Sequence, residues 1–226
     1  IIVSALFFFY CLIALYLIPL LGINSFKTKT DLINNTLGFP KTFTLENYRI
    51  ILLEDNFIRY FFNSIILSVS SLTSLLFVAS LCAYGLSRYK FKGQNILRIY
   101  FLLGMMFPIQ LGILPIFIMI RSVHLTNTFL GMVLIYTANM SLAVFIFSNF
   151  FRTLPNALYE SALIEGAGEF TIFSRIMVPI SKPVFATVGI LNFVTIWNDF
   201  YMPLVFLTKK NIKTLPLGIY SYMNNF

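Results

Sequence analysis

Three glutamates, Glu160, Glu165 and Glu169, fall close together in a polar segment that reads TLPNALYESALIEGAGEFTIFSRIMVPISKP from Thr153 to Pro183. The other polar groups that could do chemistry are sparse and stand inside apolar runs: Gln110, Asn192, Asn198 and Asp199. A polar side chain at membrane depth is a pathway candidate by default. Two of the four also have a purely local reading: Gln110 bonded to a kinked neighbouring backbone, and Asp199 reaching water at the outer surface. No Ser-His-Asp or Cys-His set and no paired carboxylates facing one site can be assembled. The motif GxxxxGK[ST], which cradles nucleotide phosphates, is absent. His124 is alone in a short loop, and Cys11 and Cys82 lie in apolar runs without a CxxC, so no metal or disulfide chemistry is indicated. The chemistry open to this chain is noncovalent: holding a partner, or passing a polar solute.

The elements that must position these groups follow from local rules. Thr153 is a candidate N-cap with Pro155 in the first turn. Leu154, Leu158, Ala162 and Glu165 repeat at helical spacing, and Gly166 and Gly168 offer the positive-φ conformations that end a helix. A second amphipathic piece puts Phe170, Phe173, Ile176 and Met177 on one side. Pro179 and Pro183 break it, and a helix restarts from Ser181. The segment reads as helix, glycine hinge, helix, with long apolar runs on either side.

Glu160-Ser161-Ala162, then Glu165-Gly166-Ala167-Gly168, then Ile176-Met177-Val178-Pro179, resembles the Glu-Ala-Ala loop of ATP-binding-cassette (ABC) importer permeases. Ser161, Glu165 and Val178 stand where that family usually has Ala, Asp and Leu, each keeping size or charge. The resemblance implies that 152–182 is a cytoplasmic coupling loop. Its residues Glu160, Ser161, Ala162, Glu165, Gly166, Ala167 and Gly168 would then meet a cleft on a separate ATPase.

Composition agrees with a membrane location. The chain is 58% hydrophobic and only 11% charged, where a soluble domain carries about 25% charged residues. The apolar runs are helical in length and lack the alternation of barrel strands. The fold class expected is an all-α membrane protein, a polytopic transmembrane helix bundle. The resemblance makes it of the type I ABC importer permease kind, one permease domain over 1–226. Spans are expected at roughly 1–23, 60–86, 97–120, 129–151 and 183–207. Pro108 and Pro115 should interrupt the third. About 16 residues at ~1.5 Å separate Pro183 from Asp199, which puts Asp199 in the outer part of the core, with Trp197 and Tyr201 as interface anchors. Net charge is +8, but the 16 basic residues are spread over every loop without a cluster, so they read as ordinary flanking charges and not as a nucleic-acid or anionic-lipid patch. Membrane lipid is expected as a partner from the apolar runs, and nucleic acid is not. Seven lie on one side and nine on the other, so charge does not orient the chain. Placing 152–182 in the cytoplasm rests on the resemblance.

Further stretches resemble the carbohydrate-transporting, maltose-type branch: Phe43-Thr44-Leu45-Glu46-Asn47-Tyr48, a short surface helix before the second span; Ala83 to Tyr89; and Trp197-Asn198-Asp199-Phe200 with Lys213 to Gly218. What the branch implies is a permease subunit of a bacterial, binding-protein-dependent sugar importer in the cell (inner) membrane, itself not an enzyme. Its partners would be a second homologous permease, a cytoplasmic ATPase dimer that binds ATP and Mg, and an extracytoplasmic solute-binding protein; the chain itself would hold no cofactor. Such permeases have six spans. The sixth, and the start upstream of Ile1, are expected beyond the residues given, with Phe226 in an outer loop. The alternatives are a permease for another polar solute such as glycerol phosphate, a secondary transporter, or a membrane-embedded enzyme. A secondary transporter would need intramembrane ionisable groups, and apart from Asp199 the spans have almost none. An enzyme would need a convergent polar site.

Overall fold

The computed structural model describes residues 2–54 and 56–223. Ile1 and Phe226, on which the expectations about the chain's ends fall, lie outside the described residues. Every regular element among the described residues is helical, and the chain divides into two compact units, Ile1–Ile58 and Arg59–Phe226.

In the first unit α1 (Ile2–Asn24) exposes Leu6, Phe7, Phe8, Phe9 and Tyr10, a surface suited to hydrocarbon. A folded loop follows, with α2 (Lys29–Asn34) and α3 (Glu46–Arg49). Thr28 caps α2 by accepting from the Asp31 N–H. Lys27 is fully buried and donates to the carbonyls of Asn35 and Thr36. The Asn47 amide donates to those of Ser25 and Lys27, and Phe26 stacks on Phe43 at 4.6 Å. The short helix expected around Thr44 to Asn47 is α3, where Thr44 Oγ1 accepts from the Glu46 N–H.

The second unit is built on α4 (Phe57–Arg88), about 48 Å long at 1.5 Å per residue. Its buried face carries Ser64, Ser68, Ser71, Ala79 and Ala83, small residues that let helices approach without help from the hydrophobic effect. Two further serines of α4 act differently: Ser70 donates back to the Ile66 carbonyl, and Ser74 pairs with Thr137 on a later helix.

The remaining apolar runs are broken. Between α5 (Gln94–Met106) and α6 (Ile113–Ser122) the axis turns by 95°, at Phe107-Pro108 and the 3₁₀ turn Ile109–Gly112. Pro108 causes this break as expected; Pro115 does not, because it sits in the first turn of α6, where its missing N–H needs no partner. A break of 50° separates α7 (Phe129–Ala138) from α8 (Ser141–Thr153), without proline or glycine to announce it. Then come α9 (Asn156–Ile164), α10 (Glu169–Ile172), a π turn at Phe173–Met177, and α11 (Val178–Ile180). A 79° bend at Ser181 leads into α12 (Lys182–Asn198). After α13 (Tyr201–Phe206), residues expected in an outer loop form α14 (Leu215–Met223). Among the described residues two helices are long and apolar enough to cross a membrane, or up to five if each bent pair is one span, by length and composition.

Two cores hold the second unit. One gathers Leu75, Ala83, Phe147, Phe151, Ala162, Ile172 and Met177 around the α9 end of the bundle. The other gathers Leu67, Met132, Tyr136, Ile196 and Phe206 towards the opposite end. There Asn63 donates to the carbonyls of Asn211 and Lys213, and Asn127 Oδ1 accepts from the Thr208 and Lys209 N–H groups. Phe147 is fully buried, with Phe185 at 4.5 Å and Phe151 at 5.9 Å. Replacing Phe147 by Ala leaves a cavity worth about 3 kcal/mol or more. Thermal denaturation in detergent should register that loss for Phe147→Ala and little change for Phe145→Ala, whose side chain is exposed; equal effects would refute the packing described.

Candidate functional site

The loop from Leu154 to Ser181 is a folded body with one exposed tip. The N-cap expected at Thr153 is wrong. That residue ends α8, with its hydroxyl donating to the Phe150 carbonyl, and Leu154-Pro155 run extended before α9 begins. The later start rotates the face, so Tyr159, Ala162 and Ala167 pack inwards while Leu158 and Glu165 point out. The hinge is also narrower than a glycine pair. Gly166 alone has positive φ, +79°, while Gly168 is extended at −74°. Gly166 N–H donates to Leu163 and Ala167 N–H to Ala162, the paired bonds of a Schellman cap. The π turn after α10 takes an extra residue per turn, which buries Ile172, Phe173 and Met177 and leaves Phe170 outside, contrary to the face expected for it.

Glu169 ties this loop to α4. Its carboxylate accepts from the Tyr84 hydroxyl of α4 at 2.7 Å and from the Tyr159 hydroxyl of α9. Burial works to raise its pKa, but hydrogen bonds from Tyr159, Tyr89 and Tyr84 outweigh it and hold the carboxyl below its usual range. One turn on, Arg88 donates to Asn156 Oδ1 at 2.8 Å and to the Phe151 carbonyl, and lies 6.0 Å from the Tyr159 ring centre. α9, α10 and the end of α4 are therefore bolted together. Facing away from that joint are Glu160, Ser161, Glu165, Gly166 and Gly168, with Ile164 at 87% exposure and Phe170 at 66%. The outcome is an apolar tip flanked by carboxylates. Sequence reasoning missed Tyr84, Arg88 and Tyr159, although the stretch Ala83 to Tyr89 had drawn attention.

A second feature lies in the other half of the bundle. Gln110, Asn192, Asn198 and Asp199 line one cavity of about 220 Å³, with Tyr136 and Asn139. Two of the axis breaks, through Ile109 and Gln110 and through Asn139, and the end of α12 at Asp199 supply its wall; broken backbone at membrane depth is tolerated where it is buried or lines a cavity. Asp199 accepts from the Tyr136 hydroxyl at 2.9 Å and from the Tyr201 and Met202 N–H groups, starting α13. Gln110 makes no side-chain hydrogen bond among the described residues, so it is not engaged with a kinked backbone. Trp197 meets Phe61 edge-on at 6.0 Å. Among the described residues no group of three His, Cys, Asp or Glu could hold a metal.

Residues 75–226 match the family described as "Binding-protein-dependent transport system inner membrane component". The chain is 36% identical over 229 residues to the arabinooligosaccharides transport system permease protein AraQ of Bacillus subtilis, covering 97% of this chain and 81% of that one. It is 34% identical to the diacetylchitobiose uptake system permease protein NgcG of Streptomyces coelicolor, over 92% of this chain and 70% of that one. With the multiple sugar-binding transport system permease protein MsmG of Streptococcus mutans it shares 34%, over 94% and 78%. In fold it is similar to a chain in the crystal structure of a bacterial ABC transporter that imports the acidic polysaccharide alginate, with a TM-score of 0.85, 22% identity, and coverage of 96% of this chain and 76% of that one.

The Glu169 joint has a defined pH signature. A carboxyl with a lowered folded pKa contributes stability that is full above its ordinary value of about 4.3 and is lost as pH falls through the lowered value. Glu169→Gln is expected to cost about 1 kcal/mol at pH 7, discounted for partial exposure. The gap between native and variant melting curves should close below about pH 4. A gap that stayed constant down to pH 3 would remove the carboxylate from the joint.

Proposed function

Because the chain belongs to the family of binding-protein-dependent transport system inner membrane components and is a multi-pass permease of the sugar-importing kind, we propose that α9 and its Gly166 cap are the lever by which a separate ATPase drives it. A non-enzymatic transport subunit of this sort works with an extracytoplasmic binding protein and an ATPase. The finer parts of the reading are a second, homologous permease beside this one, ATP and Mg bound by the ATPase pair, and 152–182 on the cytoplasmic side. Glycerol phosphate as cargo and a secondary transporter find no support among sugar permeases at 34–36% identity.

The observation that carries the proposal is the contrast between the two sides of α9. One side is fixed to α4 through Tyr159, Glu169, Tyr84 and Arg88. The other leaves Ile164 and Phe170 largely exposed, with Glu160 and Glu165 exposed on the same loop. An exposed apolar patch with a polar rim marks a partner surface. A force applied there moves α4 because no loose segment lies between, and rocking of rigid bodies is a standard route to alternating access. Closure of the ATPases on ATP would push the tip, and opening would release it.

Gly166→Pro deletes the N–H that bonds Leu163 and imposes φ near −65° where the chain needs +79°. The variant is expected to insert normally and to keep ATP hydrolysis by the assembled complex. Sugar uptake into proteoliposomes should fall by about tenfold or more, since a misplaced contact loses order-of-magnitude coupling. Uptake at the native rate would reject the lever.

A further inference from the structure

We propose that the cavity between the broken helices is a one-ring saccharide subsite on this chain, selective for uncharged sugars over carboxylated or phosphorylated ones. The proposal rests on the transport reading above for its ligand class, and on the cavity's own chemistry for its selectivity.

The hydrogen-bonding capacity left in the wall can be read atom by atom. Asn192 Nδ2 donates to the Val188 carbonyl and Asn198 Nδ2 to the Val194 carbonyl. A carbonyl only accepts, so each amide must present its nitrogen there and keep its own oxygen unengaged. Asp199 accepts all three of its hydrogen bonds and donates none. Gln110 and Asn139 add two side-chain amides without a partner among the described residues, and no Lys, Arg or His lines the space. The wall thus offers free amide oxygens as well as free amide N–H groups, and the charge it carries is the Asp199 carboxylate, with no cation beside it.

A ligand that satisfies such a wall must bring O–H groups. Every hydroxyl of a neutral sugar donates one proton and still accepts, so it meets both the lone oxygens and the free amide N–H groups. A uronate or sugar phosphate brings oxygens that only accept, and a negative charge to set beside Asp199 with no cation to offset it. Unlike-for-unlike pairing and like-charge exclusion act together, which is how a site rejects a competitor. The volume sets the length. About 220 Å³ is below the roughly 300–1,000 Å³ that encloses a drug-sized ligand, so the space takes one ring at a time and not an oligosaccharide. Apolar Leu75, Ile109 and Ile196 supply the rest of the wall, a face against which a sugar's C–H side can lie.

The test is saturation-transfer NMR on the complete transporter in nanodiscs without its binding protein, using methyl β-glucoside and glucuronate as probes. The native complex is expected to saturate the glucoside and not the glucuronate. Asn192→Leu should cut the glucoside signal about tenfold, the loss of one or two good hydrogen bonds, and the difference from native assigns the ligand to this chain. Asp199→Asn keeps an oxygen to accept from the Tyr201 and Met202 N–H groups and sets its NH2 against Tyr136, whose hydroxyl oxygen then accepts instead of donating. The charge is removed, and the variant should admit glucuronate. Equal saturation of both probes by the native complex, no saturation of either, or a glucoside signal indifferent to Asn192→Leu would each overturn the subsite. Should the Leu variant fail to assemble, the native comparison and Asp199→Asn decide alone. ATP-driven uptake measured on the same preparation with binding protein keeps the two readings apart. Intact uptake with a silent cavity removes the subsite only, whereas absent uptake by the native complex removes the transport reading itself.

Discussion

The Glu169 carboxylate, held by two tyrosine hydroxyls from different helices, is the contact on which the rest of this structure turns. A short helix of nine residues is marginal by itself in water. It becomes a mechanical part only when fixed at several points. Tyr159 and Tyr84 fix it through Glu169; Arg88 fixes its start through Asn156; the Gly166 cap fixes its end. Ala162, Ile172 and Met177 then fill the space beneath with the same core that holds Phe147 and Phe151. Charge-assisted bonds at the rim and close packing in the middle do complementary jobs. The first set the angle of α9, and the second prevents it from sliding.

Between that joint and the polar cavity runs α4, the longest helix among the described residues. Leu75 belongs to the core beneath α9 and also to the cavity wall. The helix interruptions at Ile109-Gln110, at Asn139 and at Asp199 meet at the cavity. In lipid an exposed break would strand backbone polar groups; here the breaks are turned towards one another, and the polar side chains that accompany them share one space. A straight strut with broken neighbours is an arrangement in which displacement at one end can reshape a cavity at the other.

Much of this was legible in the sequence, and the misses have physical reasons. The all-α membrane class followed from apolar runs too long for anything else. The Gly166 turn followed from the need for positive φ. Gln110, Asn192, Asn198 and Asp199 were each singled out because polar groups at depth are unusual; that they face one cavity depends on the break announced by Pro108 and also on the one at Asn139-Met140, which no proline or glycine announced. Thr153 looked like an N-cap because Thr before Pro commonly is one, but α8 runs through it and restarts only after Pro155. Phe170 was assigned inwards by an α period, and the π turn at Phe173–Met177 shifted the register that the period assumes. Tyr84 and Arg88 entered only within the Ala83 to Tyr89 resemblance, and Tyr159 was not singled out. Tyr84 meets Glu169 across 85 positions and Arg88 meets Asn156 across 68, and contacts of that separation leave no local signature.

The claim most exposed to refutation is that α9 and α4 move as one piece. Spin labels at Glu160→Cys on α9 and Phe77→Cys on α4, with Cys11 and Cys82 replaced, would report the distance between them by double electron–electron resonance through the ATP cycle. The account predicts one narrow distance distribution, the same in nucleotide-free and ATP-trapped complexes, while distances from Glu160 to the ATPase partners change. A distribution that shifts or broadens between the two states would mean the tip swings free of the strut, and the lever would have to be abandoned.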